Sequence, residues 1–279
     1  MSWDRATYTA RIRHPGQRHA AASPDPSEVE AYLAAVSAGT GELKGRLVVV
    51  LGATPELRCA VVAAGATVVA VDRSDDAWSL LGPWVESERE LKVRGSWFSL
   101  DRLLTRPVDA VVGDGIIGNM ADLGTAVGLL RGLRSLLAPG GCVVMRNVFV
   151  PDDLDPREVR ADRLLAAHRA GHLDAAELGF GLRLVGHLER HWDRASGLLD
   201  GAALYAEVDG WQPEPPLTGA ERAAVARYVF RGTNLVPTEG AWRAAVAEAS
   251  FALEPCPLVG RHWYRYYQVQ RLRPSGSGV

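Results

Sequence analysis

At 279 residues, the chain can hold one large α/β domain or a domain carrying a substantial cap. Its 47% hydrophobic and 23% charged residues suit a globular protein with a filled core. A formal net charge of -2 argues against a general nucleic-acid binder, which needs a basic excess on one face. No apolar run approaches a membrane span, and Met-Ser-Trp-Asp-Arg at the N-terminus lacks a signal region, so a cytoplasmic protein is expected.

Residues 1–45 read as an N-terminal arm and one helix. The first 27 are polar and carry Pro15, Pro24 and Pro26; an amphipathic helix then starts at Pro26 and runs to about Ser37, with Ser27 as the expected N-cap. Gly39, Gly41 and Gly45 break the chain ahead of a first strand. Regular βα alternation follows. Strands are expected at 46–51, 67–72, 90–94, 108–113 and 141–149, and helices at 55–64, 75–84, 119–137 and 156–169. The near-continuous Val/Ala/Leu strands suit a parallel sheet covered on both faces. The rhythm changes over 170–249, where helical patterns at 174–185, 219–231 and 239–249 flank a Pro-rich break and predict a mostly helical cap. Residues 250–273 hold two strand-like runs, Phe251–Cys256 and Trp263–Leu272, whose short connection requires antiparallel pairing. Residues 274–279 form a polar tail. The spacing therefore predicts a Rossmann-like doubly wound sheet with a core over 46–169, a helical insertion and a C-terminal hairpin.

Chemistry concentrates at the strand ends. Gly52 closes the first strand, and Thr54-Pro55-Glu56 supplies an N-cap, a first helical residue and an acid for the helix start. Asp72 ends the second strand about 20 residues later, the spacing at which a βαβ unit holds a ribose. Gly113-Asp114-Gly115 at the fourth strand's end lets a backbone approach a ligand, with Asn119 as the expected cap of the next helix. Asp114 is the first candidate for a catalytic or substrate-orienting group. Arg146 and Asn147 leave the fifth strand, where Arg146 either binds a substrate carboxylate or pairs with a neighbouring acid. His187 and His191 share a helical spacing but have no third ligand, so no metal site is expected. Cys59, Cys142 and Cys256 lack metal-ligand spacing and read as free thiols, two of them in apolar elements.

Taken in order, Leu-Val-Val-Val-Leu-Gly-Ala-Thr-Pro-Glu, Val-Val-Ala-Val-Asp-Arg-Ser, Lys-Val-Arg-Gly-Ser-Trp, Val-Asp-Ala-Val-Val-Gly-Asp-Gly and Leu-Leu-Ala-Pro-Gly-Gly-Cys-Val-Val-Met-Arg resemble the class I S-adenosylmethionine-dependent methyltransferases. The resemblance covers roughly 46–149 and 250–272. It implies S-adenosylmethionine as cofactor, held by Gly52, Ala53, Thr54, Asp72, Arg73, Ser96, Trp97, Gly113, Asp114 and Gly115. Arg146, Asn147, Tyr8 and His14 then fall on the substrate side, the last two in an arm that the family folds over its cofactor. Ser96 stands where the family commonly places an acid for the adenine amine, while Trp97 offers a flat wall. The usual Gly-x-Gly-x-Gly loop keeps only its first glycine. Glu56 would repel a pyrophosphate yet tolerate a sulfonium, which favours this cofactor over a dinucleotide. Methyl transfer to nitrogen, oxygen or carbon of a small bacterial metabolite is the implied activity. A catalytically silent cofactor-binding regulator or scaffold and a nicotinamide-dependent oxidoreductase stay open beside it, as does the oligomeric state.

Overall fold

Alternation along the first strand organises the molecule. β1 (Leu47–Leu51) is buried throughout; Leu47, Val49 and Leu51 join one apolar cluster while Val48 and Val50 join another. A strand sends successive side chains to opposite faces, so burial of every residue requires cover on both sides. The structure, a computed structural model, describes residues 23–186, 188–226 and 232–276.

β2 (Thr67–Asp72) and β4 (Val108–Asp114) flank β1 in parallel, with Val49 beside Val69 and Val111. β3 (Glu90–Arg94) and β5 (Leu137–Val148) extend the sheet outwards. β10 (Tyr267–Pro274) then runs antiparallel to β5, and β9 (Phe251–Cys256) antiparallel to β10. The seven-stranded order is β3-β2-β1-β4-β5-β10-β9. One face is covered by α1 (Pro26–Thr40) and α2 (Pro55–Ala63), through Tyr32, Val36, Leu57 and Val61. The other is covered by α4 (Leu123–Leu136) and α10 (Glu239–Glu248), where Leu130, Leu133, Trp242 and Val246 meet Val49, Val111 and Val143.

Several boundaries differ from expectation for local reasons. The N-cap of α1 is Asp25, not Ser27: the Asp25 carboxylate accepts the Glu28 N–H at 2.8 Å and Glu28 returns the bond to the Asp25 N–H. That capping box puts Pro26 at the first helical position, where its missing N–H costs nothing. Likewise Asn119 does not cap the helix after β4. It donates to the Gly115 carbonyl within a 3₁₀ turn at Ile117–Asn119, and Asp122 caps α4 by accepting the Thr125 N–H at 2.6 Å. Two other expected helices are shorter: α3 (Asp75–Leu81) passes into a 3₁₀ turn at Gly82–Trp84, and α5 (Ala161–Arg169) starts after a separate turn at Pro156–Glu158. β10 begins four residues later than the Trp263 expected, because His262–Arg265 coils into a 3₁₀ turn.

The insertion is not purely helical. With α6 (Ala175–Phe180), a π turn (Gly181–Val185), α7 (Leu188–His191), α8 (Gly201–Gly210) and α9 (Gly219–Ala226) it contains a small antiparallel sheet. That sheet is β6 (Trp192–Asp193), β7 (Leu198–Asp200) and β8 (Thr233–Leu235). Strands this short carry no periodic signal, so they are invisible before pairing. The segment shares a core with α5 around Leu164, Leu178, Leu188 and Leu204, which also takes in Trp263, Tyr266 and Tyr267 around the start of β10. Helix α10, by contrast, packs on the main sheet: Trp242 stacks on Phe149 at 5.7 Å and donates its indole N–H to Gln270 at 2.8 Å. No helix among the described residues is long and apolar enough to cross a membrane.

Candidate cofactor and substrate site

The sequence-predicted loop residues converge where β1 and β2 end. Gly52 adopts φ +96°, and a Cβ there would lie 3.8 Å from the Asp72 carboxylate, 3.9 Å from the Thr54 hydroxyl and 4.0 Å from the Trp97 ring. The three side chains thus gather over a glycine whose conformation an L side chain rarely adopts. Thr54 holds the N-cap position of α2, yet its hydroxyl makes no capping bond. Ala53 is buried, and its carbonyl accepts from Arg58 at 3.2 Å.

Asp72 is half-buried and accepts the Ser74 N–H at 2.8 Å. Burial pushes its carboxyl above the usual value, against the pull of backbone N–H groups at Ser74, Ala53 and Arg73. A desolvated carboxylate at a strand end is costly unless something binds it. The Trp78 indole donates to the Asp72 carbonyl at 3.1 Å, and the Trp97 indole donates to the Val71 carbonyl at 2.8 Å. Trp97 is therefore both a wall over Gly52 and part of the packing against the main core. Arg73 is exposed. Ser96 is exposed as well, and its hydroxyl caps a 3₁₀ turn by accepting the Phe98 N–H at 3.2 Å.

At the ends of β4 and β5 the structure builds a buried charge network. Arg146, fully buried, forks onto Asp114 at 2.8 and 3.1 Å and reaches Glu28 at 2.5 Å. Its guanidinium lies 4.0 Å over the Tyr267 ring, and the Tyr267 hydroxyl donates to Asp114 at 3.2 Å. Of the two positions read for Arg146 from sequence, the structure adopts the acid pair: the guanidinium is engaged with carboxylates instead of facing open solvent. Burial pushes the Glu28 carboxyl upward, opposed mainly by Arg146. Asn147 turns to the opposite face, buried, with its carbonyl accepting the Ile117 N–H at 3.0 Å, so it braces the loop after β4. Gly113 receives the Tyr32 hydroxyl on its carbonyl at 2.7 Å, and Gly115, at φ +64°, lies against the Tyr267 hydroxyl. Tyr8, His14 and His187 lie outside the described residues.

Sequence reasoning passed over four residues that hold this geometry. Arg58 is buried and clamps the carbonyls of Ala53, Leu81 and Gly82 together with Glu90, which it meets at 2.5 Å. Its position between Leu57 and Val61 on the inner face of α2 was the available signal. Glu28 and Tyr32, four apart, share one face of α1 and reach β5 and β4 respectively. Tyr267 had no local signal, since its partner Asp114 is 153 positions away.

No family model matches the chain, and no curated protein sequence matches it. Solved structures do. The CcbJ methyltransferase from Streptomyces caelestis superposes with TM-score 0.57 at 15% identity, covering 98% of this chain and 100% of that one. A protein named as a Zn-dependent alcohol dehydrogenase from Rhodobacter sphaeroides gives 0.55 at 14%, covering 99% and 100%. The DhpI–SAM–HEP complex gives 0.52 at 14%, covering 96% and 95%. Identities this low speak to the fold alone. With its mainly parallel sheet, helices on both faces and antiparallel β10–β9 ending, the chain has the Rossmann-like methyltransferase fold.

Proposed function

We propose that the protein is an S-adenosylmethionine-dependent methyltransferase acting on a small molecule. The observation that carries this reading is the gathering of Asp72, Thr54 and Trp97 over Gly52 at the ends of β1 and β2. Asp72 accepts the ribose hydroxyls and Trp97 flanks the adenosine, beside the N-terminal end of α2. Two strand spacings of about 4.8 Å separate the end of β2 from that of β4, which sets the methionine half of the cofactor toward Asp114.

The chemistry asks for positioning more than for titrating groups. A lone pair on the acceptor attacks the methyl carbon as the carbon–sulfur bond breaks, and S-adenosylhomocysteine leaves. Asp114 is held by Arg146 and Tyr267, so it serves as a fixed acceptor that orients a substrate N–H or O–H. The insertion brings Phe180 against Tyr267, with rings 6.0 Å apart, and so covers the same strand ends and helps exclude water.

Two features speak against a nicotinamide enzyme. The antiparallel β10 stands beside β5, where a dinucleotide fold continues in parallel, and Glu56 in the first turn of α2 would face a pyrophosphate. Titration calorimetry of the purified chain with S-adenosylmethionine, S-adenosylhomocysteine and NADH tests the reading. Binding of the first two and not the third is expected; binding of NADH alone, or of none, overturns it.

A further inference from the structure

Two carboxylates share the buried Arg146 unequally. Asp114 takes the guanidinium fork at 2.8 and 3.1 Å, and the Tyr267 hydroxyl donates to the same acid at 3.2 Å. Both Asp114 oxygens are therefore occupied, each by a donor that an added proton has to displace. Glu28 is bonded at one oxygen only: Oε2 accepts from Arg146 at 2.5 Å and from the Asp25 N–H at 2.8 Å. Its Oε1 is buried and has no hydrogen-bond partner among the described residues. An unpaired oxygen held away from water costs more on a carboxylate than on a neutral carboxyl. Of the two acids, Glu28 is the one that gains a proton without breaking a bond.

The surroundings of Glu28 make that proton sensitive to charge. Facing it are Asp114 on β4, Arg146 on β5, Tyr264 and Tyr267 around the start of β10, and Asp25 and Tyr32 at and on α1. Burial raises the Tyr32 and Tyr264 phenols, so both stay neutral near pH 7. Among the described residues, the Asp114 and Glu28 carboxylates then meet one guanidinium, with the Asp25 carboxylate beyond them. Burial lifts the Glu28 carboxyl; Arg146 opposes the rise and the Asp114 charge adds to it. One further positive charge nearby tips the balance toward the ionised form.

The proposed cofactor brings such a charge, and only before methyl transfer. S-adenosylmethionine and S-adenosylhomocysteine share their adenosine and amino-acid ends, and differ by one methyl group and one positive charge on sulfur. We propose that Glu28 reads that difference, being ionised when the sulfonium lies at the end of β4 and protonated when the neutral thioether has replaced it. Glu28 touches neither ligand and acts through the field across Asp114 and Arg146, exchanging its proton with solvent. Cofactor preference then depends on pH. Below its pKa in both complexes, Glu28 is neutral and contributes nothing. As pH rises through the lower, sulfonium-bound value the methyl donor gains affinity, and the gain is complete above the higher, thioether-bound value. Spent cofactor is held less tightly than the donor, which favours its release. The inference rests on the methyltransferase reading of the strand ends.

Titration calorimetry in two buffers of different ionisation enthalpy, repeated from about pH 5 to pH 8, reads affinity and protons exchanged together. S-adenosylmethionine should release more protons on binding than S-adenosylhomocysteine. The preference for it should grow about tenfold across the range, the effect of one pKa unit. Sinefungin, with an ammonium in place of the sulfonium, should follow S-adenosylmethionine. In Glu28→Gln, with its fold checked by circular dichroism, the proton counts should become equal and the preference should no longer vary with pH. The wild-type comparison needs no variant. Equal proton counts there, or a difference that survives in Glu28→Gln, overturn the inference while cofactor binding stands. Absence of binding by every one of these ligands overturns the methyltransferase reading instead.

Discussion

Replacing Arg146 with methionine isolates the energetics of the buried network. Arg146 and Glu28 are fully buried and the Asp114 side chain is 7% exposed, so the three charges have almost no water around them. Methionine fills much of the volume but leaves two carboxylates facing each other without a cation. Breaking a buried pair by removing one partner costs about 3–5 kcal/mol. Loss of the guanidinium stacked on Tyr267 adds about 1 kcal/mol. Urea unfolding at pH 7 should therefore show a loss of about 4 kcal/mol or more. The companion triple variant, Arg146→Met with Glu28→Gln and Asp114→Asn, removes the stranded charges and should recover most of that loss, since neutral replacements of a buried ionic cluster are often tolerated. Lowering the pH should also narrow the gap between Arg146→Met and wild type, because the orphaned carboxylates take up protons. An Arg146→Met protein within about 1 kcal/mol of wild type, or a triple variant no more stable than the single one, would refute the account.

Other predictions follow from the same geometry. Asp72→Asn should weaken S-adenosylmethionine binding by about 10- to 100-fold, the worth of a hydrogen bond to a charged group, as read by calorimetry. Because burial raises the Asp72 carboxyl, that variant should be no less stable than wild type near neutral pH; a clear fall in its melting temperature would argue against a strained ligand-binding acid. The same sign governs Glu28. Its folded-state value lies above the unfolded one, so the native protein holds the proton more tightly, and stability from this group declines as pH rises from the ordinary carboxylate value upward. Glu28→Gln should flatten that decline in a series of melts. Glu221 has the opposite sign: Arg169 and Thr218 hold it at about 2, so its contribution is present above the ordinary value and vanishes as pH falls toward that figure. Glu221→Gln should accordingly cost stability at pH 7 and nothing at the acid end, and a gap that persists there would contradict it. Gly113→Ala should destabilise by about 1–3 kcal/mol, since its Cβ would sit 2.5 Å from the buried Ile116 side chain; an unperturbed urea midpoint would show that the loop shifts instead.

How much of this was written in local sequence can be followed residue by residue. The Val-rich runs at 47–51 and 68–71 declared buried parallel strands because each is apolar at every position, and Gly52 with Asp72 marked their carboxyl ends. Composition at Gly113-Asp114-Gly115 likewise pointed to a close backbone approach, and the short link from β9 to β10 implied antiparallel pairing. These are features of neighbours along the chain, and the periods of strand and helix express them directly. What Asp114 and Arg146 do was decided elsewhere. Glu28 lies 118 positions from Arg146, and Tyr267 lies 153 from Asp114, so only the folded sheet and α1 could bring them into contact. Arg58 and Glu90, 32 apart, show the same logic: each reads as a surface charge until burial makes it half of a pair. A carboxylate's environment is a property of three-dimensional packing, because desolvation and opposing charge depend on distance in space, and the sequence alone carries no measure of that distance.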